Sequence, residues 1–146
     1  MNLQGKVMVV TGGAQGIGAA TAQLCAARGA SVAIADINAR DGEHVAGSIR
    51  AAGGDAWFQR TDIRQEDEVR ALIESVRQRQ GRLDVLVAAA GVLKGAYLQP
   101  EELSPDDFET VLDVNVKGVF LCARHATPLL EASGRGVIIV LASGAG

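Results

Sequence analysis

A glycine-rich turn near the amino terminus has the composition of a phosphate-binding loop. The apolar run 7–10 leads into Thr-Gly-Gly-Ala-Gln-Gly-Ile-Gly at 11–18. A pyrophosphate approaches the unpaired backbone N–H groups at a helix amino terminus, where the helix dipole attracts anions. Glycine at positions 12, 16 and 18 removes Cβ atoms that would block this approach, and it permits a tight turn. We interpret the segment as a strand, a phosphate loop and the start of a helix.

A second feature is needed to support this interpretation, because glycine turns join strands to helices in many α/β proteins. Residues 31–36 form another short apolar run, and it ends in Asp36. An acid at the end of the second strand, roughly 20 residues beyond the loop, accepts hydrogen bonds from an adenosine ribose in dinucleotide-binding folds. The alternative for Asp36 is a helix-capping or loop carboxylate. The two features together predict nucleotide binding.

Other candidate residues carry weaker signals when each is taken alone. Asp62 follows the third predicted strand and is equally consistent with a turn residue. Asn115 is a mediocre residue for a helix interior, and Ser143 stands in a turn after the fifth predicted strand. Four further residues are isolated and lack metal-ligand spacing: Cys25, His44, Cys122 and His125. We therefore expect free thiols, no disulfide and no metal site.

The composition describes a compact α/β protein whose packing relies on small side chains. Of the 146 residues, 48% are hydrophobic, only 3% are aromatic and 18 are glycine. The net charge of −3 offers no basic surface, so we expect no DNA or RNA partner. The apolar runs are too short to span a bilayer and the first residues lack a secretory signal, so we expect no membrane association and a cytoplasmic location. We expect one domain, residues 1–146.

Five apolar runs alternate with segments of helical periodicity. The first lies before the glycine loop and the others lie at 31–36, 55–60, 83–91 and 137–141. The helix after the loop carries Ile17 and Leu24 at helical spacing, and we expect small side chains to pack it on the sheet. Asn38 is a candidate N-cap of the second helix, and Glu66 can pair with Arg70 on the solvated face of the third.

The alternation predicts a parallel sheet with right-handed crossovers and strand order 3-2-1-4-5. The third run is the least apolar, as expected for an edge strand. Ser104 and Pro105 predict the start of a long helix that continues to about Leu130.

The chain resembles the short-chain dehydrogenase/reductase family from its first residues onward. The family's loop has the form TGxxxGxG, which is matched by Thr11, Gly12, Gly16 and Gly18. This resemblance implies a Rossmann-type doubly wound parallel sheet that binds a nicotinamide dinucleotide. It also implies that Asp36 binds both hydroxyls of the adenosine ribose.

The resemblance further implies that NAD is the cofactor, because a 2′-phosphate would meet the negative charge of Asp36. Relatives that prefer NADP place a basic residue where this chain has Gln15 or Ile37. Asp62 and Ile63 match the pair that contacts the adenine edge. The cofactor-binding candidates are Gly12, Gln15, Gly16, Ile17, Gly18, Asp36, Ile37, Asp62, Ile63, Ala89, Ala90 and Gly91.

The catalytic residues that the resemblance implies are only partly present. Ser143 matches the serine that hydrogen-bonds the substrate oxygen, and Asn115 matches the residue that kinks a helix and holds a water of the proton relay. The family's catalytic tyrosine, four residues before a lysine, would lie beyond Gly146, and Tyr97 has no lysine four residues later. Relatives commonly have Asn-Asn-Ala-Gly where this chain has Ala-Ala-Ala-Gly at 88–91, so amides that tie this strand to its neighbours are absent.

We predict an NAD-dependent oxidoreductase that interconverts an alcohol and a carbonyl by hydride transfer on a small-molecule substrate. One alternative is a non-catalytic dinucleotide-binding module, which the alanines at 88–89 and the missing tyrosine favour. Another is a methyltransferase of Rossmann type, which would suit Asp36 but neither Ser143 nor Asn115. The resemblance also implies a homodimer or homotetramer built partly on the helix around 111–121.

The last predicted strand, 137–141, is apolar at every position, yet the strand order makes it the outer edge of the sheet. An uncovered edge of this composition is a template for aggregation. In the family a sixth strand pairs there. We therefore expect that residues 1–146 are not the whole functional polypeptide and lack the family's C-terminal strands, or that another chain covers this edge.

Overall fold

A computed structural model of the chain describes residues 2–143. Its centre is a five-stranded sheet of order β3-β2-β1-β4-β5 in which every neighbouring pair is parallel. The strands are β1 Val7–Thr11, β2 Ser31–Asp36, β3 Asp55–Arg60, β4 Val85–Ala88 and β5 Val137–Val140. The predicted Rossmann-type fold and its strand order are confirmed.

Helices cover both faces of this sheet. They are α1 Gly16–Ala26, α2 Ala39–Ala51, α3 Glu66–Gln80, α4 Pro105–Leu112 and α5 Val119–Ala132, with a π-helical segment, Asp113–Gly118, between α4 and α5. Alternate strand residues enter two separate cores. Val7 and Val9 pack with residues of α3 and α5, whereas Met8 and Val10 pack with residues of α1 and α2. This alternation is the period-two pattern of a strand that is buried on both faces.

The fourth and fifth strands are shorter than predicted. The chain bonds to β1 beyond β4, through the amide of Ala89 and the carbonyl oxygen of Thr11 at 3.2 Å. At Gly12, however, the backbone turns away with φ +67°, so the partner strand ends there. The ladder between β4 and β5 likewise ends at the pair Ala88 and Val140. The length of an apolar run therefore overestimates the length of its strand when the neighbouring strands end earlier.

Helix α1 packs on the sheet through small residues, as predicted, but its larger apolar side chains face away from it. The buried residues of α1 are Gly18, Ala22 and Ala26. Ile17 is 69% exposed and Leu24 is 53% exposed. A Cβ atom at Gly18 would collide with the carbonyl oxygen of Gly12. The start of the helix therefore lies too close to the glycine loop for a large side chain at this position.

The predicted long helix is confirmed as a continuous helical stretch from Pro105 to Ala132, and the π-helical segment lies within it where the resemblance implied a kink at Asn115. Asn115 lies in this segment, and Gly118 ends it. The predicted start is confirmed, since the Ser104 hydroxyl accepts a hydrogen bond from the amide of Asp107 at 3.1 Å. The cap of α2 is also confirmed, because Asn38 Oδ1 accepts from the amide of Asp41 at 3.2 Å.

The predicted pairing of Glu66 with Arg70 is wrong. Arg70 pairs with Asp67 at 2.8 Å. The Glu66 carboxylate contacts Nε2 of His125 at 2.9 Å, because α5 packs beside the first turn of α3. A contact between two helices has replaced the contact within one helix.

Asp84 ties the amino ends of β1 and β4 together, a feature that the sequence did not reveal. It is 2% exposed, and its carboxylate accepts hydrogen bonds from the Val7 amide at 3.0 Å and from Lys6 Nζ and Arg82 Nε at 3.1 and 3.0 Å. Burial alone would raise the pKa of this carboxyl, but the bonds from Arg82, Val7 and Lys6 outweigh it and hold the pKa below its ordinary value. The charged form is therefore the stable one in the fold.

Both cysteines are free thiols, which confirms that they do not form a disulfide. Burial raises the pKa of the Cys122 thiol to about 12. None of the helices formed by residues 2–143 has the length and apolar character required to cross a membrane.

Candidate functional site

A cavity of about 640 Å³ opens at the carboxyl ends of β1, β2 and β4. Every residue that was predicted to bind the cofactor lines it. This is the edge of a doubly wound sheet at which ligands bind, because the chain reverses its winding direction there. The cavity is also lined by residues that were not predicted to bind the cofactor, namely Ala35, Asn38, Thr61, Arg64, Val92, Thr110, Val114 and Leu141.

The three loop glycines serve different purposes. A Cβ at Gly12 would lie 2.6 Å from the backbone of Ala90, and one at Gly18 would meet the Gly12 carbonyl. These two positions therefore need glycine for packing within the protein, a requirement that the sequence did not reveal. Gly16 has φ +55°, and a Cβ there would meet no atom within 4 Å. Gly16 is thus the glycine whose missing side chain leaves open space at the cavity.

The first turn of α1 leaves its backbone amides facing this space. Gln15 is the N-cap residue, and it makes no side-chain capping hydrogen bond within the described chain. The first amides of a helix lack intrahelical acceptors, and the dipole gives them partial positive charge. This end of α1 can therefore hold an anionic group.

Asp36 stands beside the loop at the end of β2, and its carboxylate is held by two backbone amides. Oδ2 accepts from the amide of Ala14 at 3.1 Å, and Oδ1 accepts from the amide of Asn38 at 3.0 Å. The carboxylate therefore connects the phosphate loop to the start of α2. Each oxygen retains acceptor capacity, because a carboxylate offers about four lone-pair sites.

Asp62 lies in the turn after β3, and Arg64 binds its side chain. Arg64 Nε contacts the two carboxylate oxygens at 2.9 and 3.2 Å, and Nη2 donates to Oδ2 at 2.7 Å. The hydrogen bond from Arg64 lowers the pKa of the Asp62 carboxyl. Ile63 follows, and it is buried against Gly118, where a Cβ would lie 2.6 Å from Ile63 Cδ1. The turn is thereby packed against the π-helical segment.

The end of β4 is secured through backbone groups where the family's amides are missing. The amide of Ala90 donates to the Thr11 hydroxyl at 3.4 Å. The amide of Leu141 donates to the carbonyl oxygen of Ala88 at 3.0 Å. The alanines therefore keep β4 joined to both neighbouring strands without side-chain amides.

Asn115 reaches the same region from the helical layer. Its Oδ1 accepts from the amide of Val92 at 2.9 Å, and its Nδ2 donates to the Val92 carbonyl oxygen at 2.8 Å. Neither Asn115 nor Ser143 lines the cavity itself, although Val92 does. Ser143 follows Leu141, another lining residue, by two positions. Among residues 2–143 there is no cluster of three or more His, Cys, Asp or Glu side chains suited to a metal ion.

These residues fit a dinucleotide. The open space at Gly16 and the amides of α1 suit a pyrophosphate, and the Asp36 carboxylate suits a ribose diol. This fold and cavity define the class as a protein of Rossmann-type fold whose cavity has the features of a dinucleotide site.

Comparison with known proteins identifies the family. The sequence model described as short chain dehydrogenase matches residues 6–146. The chain therefore belongs to the short-chain dehydrogenase family, as its sequence motifs indicated.

Curated relatives carry several different names. The chain is 40% identical over 146 residues to an uncharacterized oxidoreductase of Thermotoga maritima, a match that covers 100% of this chain and 57% of the relative. It is 43% identical over 138 residues to a cis-4-hydroxycyclohexanecarboxylate dehydrogenase of Sinomonas cyclohexanicum, covering 94% of this chain and 55% of the relative. A 3beta-hydroxysteroid dehydrogenase of Mediterraneibacter gnavus is 38% identical over 141 residues, covering 97% and 50%. The chain spans about half the length of these relatives.

Proposed function

We propose that these residues form the NAD-binding part of an oxidoreductase that interconverts an alcohol and a carbonyl. The observation that carries the proposal is the single cavity in which the open glycine, the first amides of α1 and the Asp36 carboxylate meet. The family membership and the dehydrogenase names of the relatives support it. Residues 1–146 would constitute one dinucleotide-binding domain.

Bound NAD would supply the hydride acceptor or donor of the reaction. The chain's own residues would bind and orient it. Amides at the start of α1 would hold the pyrophosphate, and Asp36 would accept hydrogen bonds from the adenosine ribose. Ile63 and the chain segment 89–91 would contact the cofactor along the remaining cavity wall.

Two further residues of the chain would act near the substrate. Ser143 would donate a hydrogen bond to the substrate oxygen and so align it for hydride transfer. Asn115 holds the loop after β4 through its two hydrogen bonds to Val92. It would thereby fix the position of this loop, beside the substrate, relative to the helices. The tyrosine and lysine that the family uses for proton transfer are not among these residues, so we propose that another part of the full polypeptide supplies them.

A second candidate function is a dinucleotide-binding module without catalysis. The alanines at 88–89, where relatives have asparagines, favour it. The hydrogen bonds of backbone groups that secure the end of β4 weaken this argument, because they join the strand to both neighbours without side-chain amides. Oxidation of alcohols by the full polypeptide with NAD would separate the two functions.

The preference for NAD over NADP follows from Asp36. A 2′-phosphate would lose the hydrogen bonds to the carboxylate and place like charges together, and one charge-assisted bond contributes about 1.5 to 3 kcal/mol. We expect the full polypeptide to bind NADH at least about tenfold more tightly than NADPH. Dissociation constants from titration of the reduced cofactors' fluorescence measure this. Equal or tighter binding of NADPH would contradict the assignment of Asp36.

The cytoplasmic location and the homodimer or homotetramer stay predictions. Apolar side chains at every fourth position along α4, the π-helical segment and α5 support the oligomer, since Phe108, Leu112, Val116 and Phe120 are each at least 43% exposed. Exposed apolar stripes of this kind mark interaction surfaces.

A further inference from the structure

The turn after β3 presents a different chemical surface to the cavity from the one that its sequence suggests. An aspartate there would offer acceptor oxygens to the 6-amino group of an adenine. In this chain, however, Arg64 lies two residues later and lines the cavity together with Asp62 and Ile63. Asp62 and Arg64 are thus the two charged side chains of this turn that can contact the base.

The Asp62 carboxylate is already largely occupied by N–H groups of Arg64. Oδ1 accepts from the backbone amide of Arg64 at 3.0 Å and from Nε at 2.9 Å. Oδ2 accepts from Nη2 at 2.7 Å and from Nε at 3.2 Å. The Nε–H is shared between the two oxygens, so three N–H groups of Arg64 occupy at least three of the four lone-pair sites of the carboxylate. The side chain of Asp62 is also only 10% exposed, whereas that of Arg64 is 40% exposed.

The surrounding residues hold this arrangement in place. The amide of Asp62 donates to Glu68 Oε2 at 2.8 Å, and the same oxygen accepts from Arg60 Nη1 at 2.9 Å. The carboxylate of Asp113 in the π-helical segment adds a favourable charge interaction for Arg64. The guanidinium therefore has negative partners on two sides, from the turn and from the helical layer.

We propose that Arg64, rather than Asp62, meets the edge of the nucleotide base, so that this subsite presents hydrogen-bond donors. The inference rests on the proposed dinucleotide function. A guanidinium has five N–H donors and no acceptor, and Nη1 takes part in none of the bonds to Asp62. A donor surface suits a base that carries a carbonyl oxygen at position 6, and it gains nothing from a 6-amino group. Discrimination between adenine and hypoxanthine is consequently weak in this site.

The test compares NADH with the reduced nicotinamide hypoxanthine dinucleotide, which differs from it in the 6-substituent and the adjoining ring nitrogen of the base. We expect the full polypeptide to bind the hypoxanthine form within about threefold of NADH, or more tightly. In Arg64→Leu, the freed Asp62 carboxylate accepts from the 6-amino group and repels the 6-carbonyl. That variant should prefer NADH by about tenfold or more, which corresponds to one hydrogen bond to a charged group.

Two control variants make the comparison specific. Arg64→Lys keeps a cation beside Asp62 and should retain weak discrimination, whereas Arg70→Leu removes a positive charge from the solvated face of α3 and should leave both affinities unchanged. Fluorescence of Trp57, the single tryptophan of residues 1–146, checks that each variant is folded. A wild-type preference of about tenfold or more for NADH, or an unchanged ratio in Arg64→Leu, would overturn the role of Arg64. Failure of both dinucleotides to bind the wild type would instead overturn the proposed function, and the inference with it.

Discussion

At the amino ends of the strands a carboxylate is enclosed and fully paired, whereas at the carboxyl ends two carboxylates border a cavity. Asp84 is 2% exposed and bonds to Lys6, Val7 and Arg82. Asp36 accepts one backbone amide on each oxygen and faces open space. The same side-chain type therefore has a structural role at one edge and an available binding role at the other.

The difference follows from how a doubly wound sheet is built. Each of the strands β1 to β4 leads at its carboxyl end into a loop before the next helix, so helix amino termini with their unpaired amides gather at that edge. Positive partial charge there attracts an anionic ligand. At the opposite edge neighbouring strands are joined by contacts such as the hydrogen bond from the Asp84 amide to the Val7 carbonyl oxygen at 2.8 Å. One edge is thus suited to binding and the other to stability.

The largest expected effect is at the structural edge. Asp84→Ala leaves the Val7 amide and two cations without their partner, so we expect it to lower the free energy of unfolding by about 3 kcal/mol. Urea unfolding followed by Trp57 fluorescence measures the change. Asp67→Ala, which removes an exposed partner of Arg70, is the matched control and should have little effect. Equal losses in the two variants would show that the enclosed network does not stabilise the fold.

The same carboxylate makes stability depend on pH in a definite direction. Its pKa is depressed in the fold, so its stabilisation is present above the unfolded-state pKa of about 3.9 and is lost as the pH falls through the lower folded pKa. Wild-type protein should therefore lose stability below about pH 4 more steeply than Asp84→Ala does.

A smaller effect, confined to binding, is expected at the other edge. Asp36→Asn removes the charge that the ribose hydroxyls would bind, and we expect NADH affinity to fall by about thirtyfold, or about 2 kcal/mol. Asp55→Asn, at the amino end of β3, is the control and should leave NADH affinity unchanged. Titration of NADH fluorescence compares the two. The contrast between the edges would break down if Asp55→Asn weakened binding as much as Asp36→Asn.

The smallest expected effect distinguishes a loss of stability caused by backbone strain from a loss of affinity caused by a changed ligand contact. Gly16 and Gly81 have φ of +55° and +69°, and a Cβ at either meets no atom within 4 Å. Alanine at each position should therefore lower stability by a similar amount, about 1 kcal/mol. Only Gly16→Ala places a methyl group at the phosphate loop, so we expect it alone to weaken NADH binding, by about tenfold. Equal affinities in the two variants would remove Gly16 from the binding site.

Much of the fold could be predicted from the sequence, because the signals involved are local. Apolar runs and helical periodicity identified every strand, and Asn38 and Ser104 marked helix starts through bonds to residues three positions away. The strand order followed from the alternation of elements, which parallel connections restrict strongly. The loop glycines and Asp36 were recognisable because the spacing between a phosphate loop and the next strand end is short.

Only the tertiary structure decided which distant groups meet. Asp84 looked like one residue of an apolar strand, yet it pairs with Lys6, 78 positions away. Glu66 bonds to His125 instead of its own helix, and Gly12 needs its missing side chain because Ala90 lies against it. The sequence by itself determined the elements, their order and the family, since these depend on propensity and pattern. The partners of each charge and the reason for each glycine depend on strand register and helix packing, which bring together residues that no local window contains.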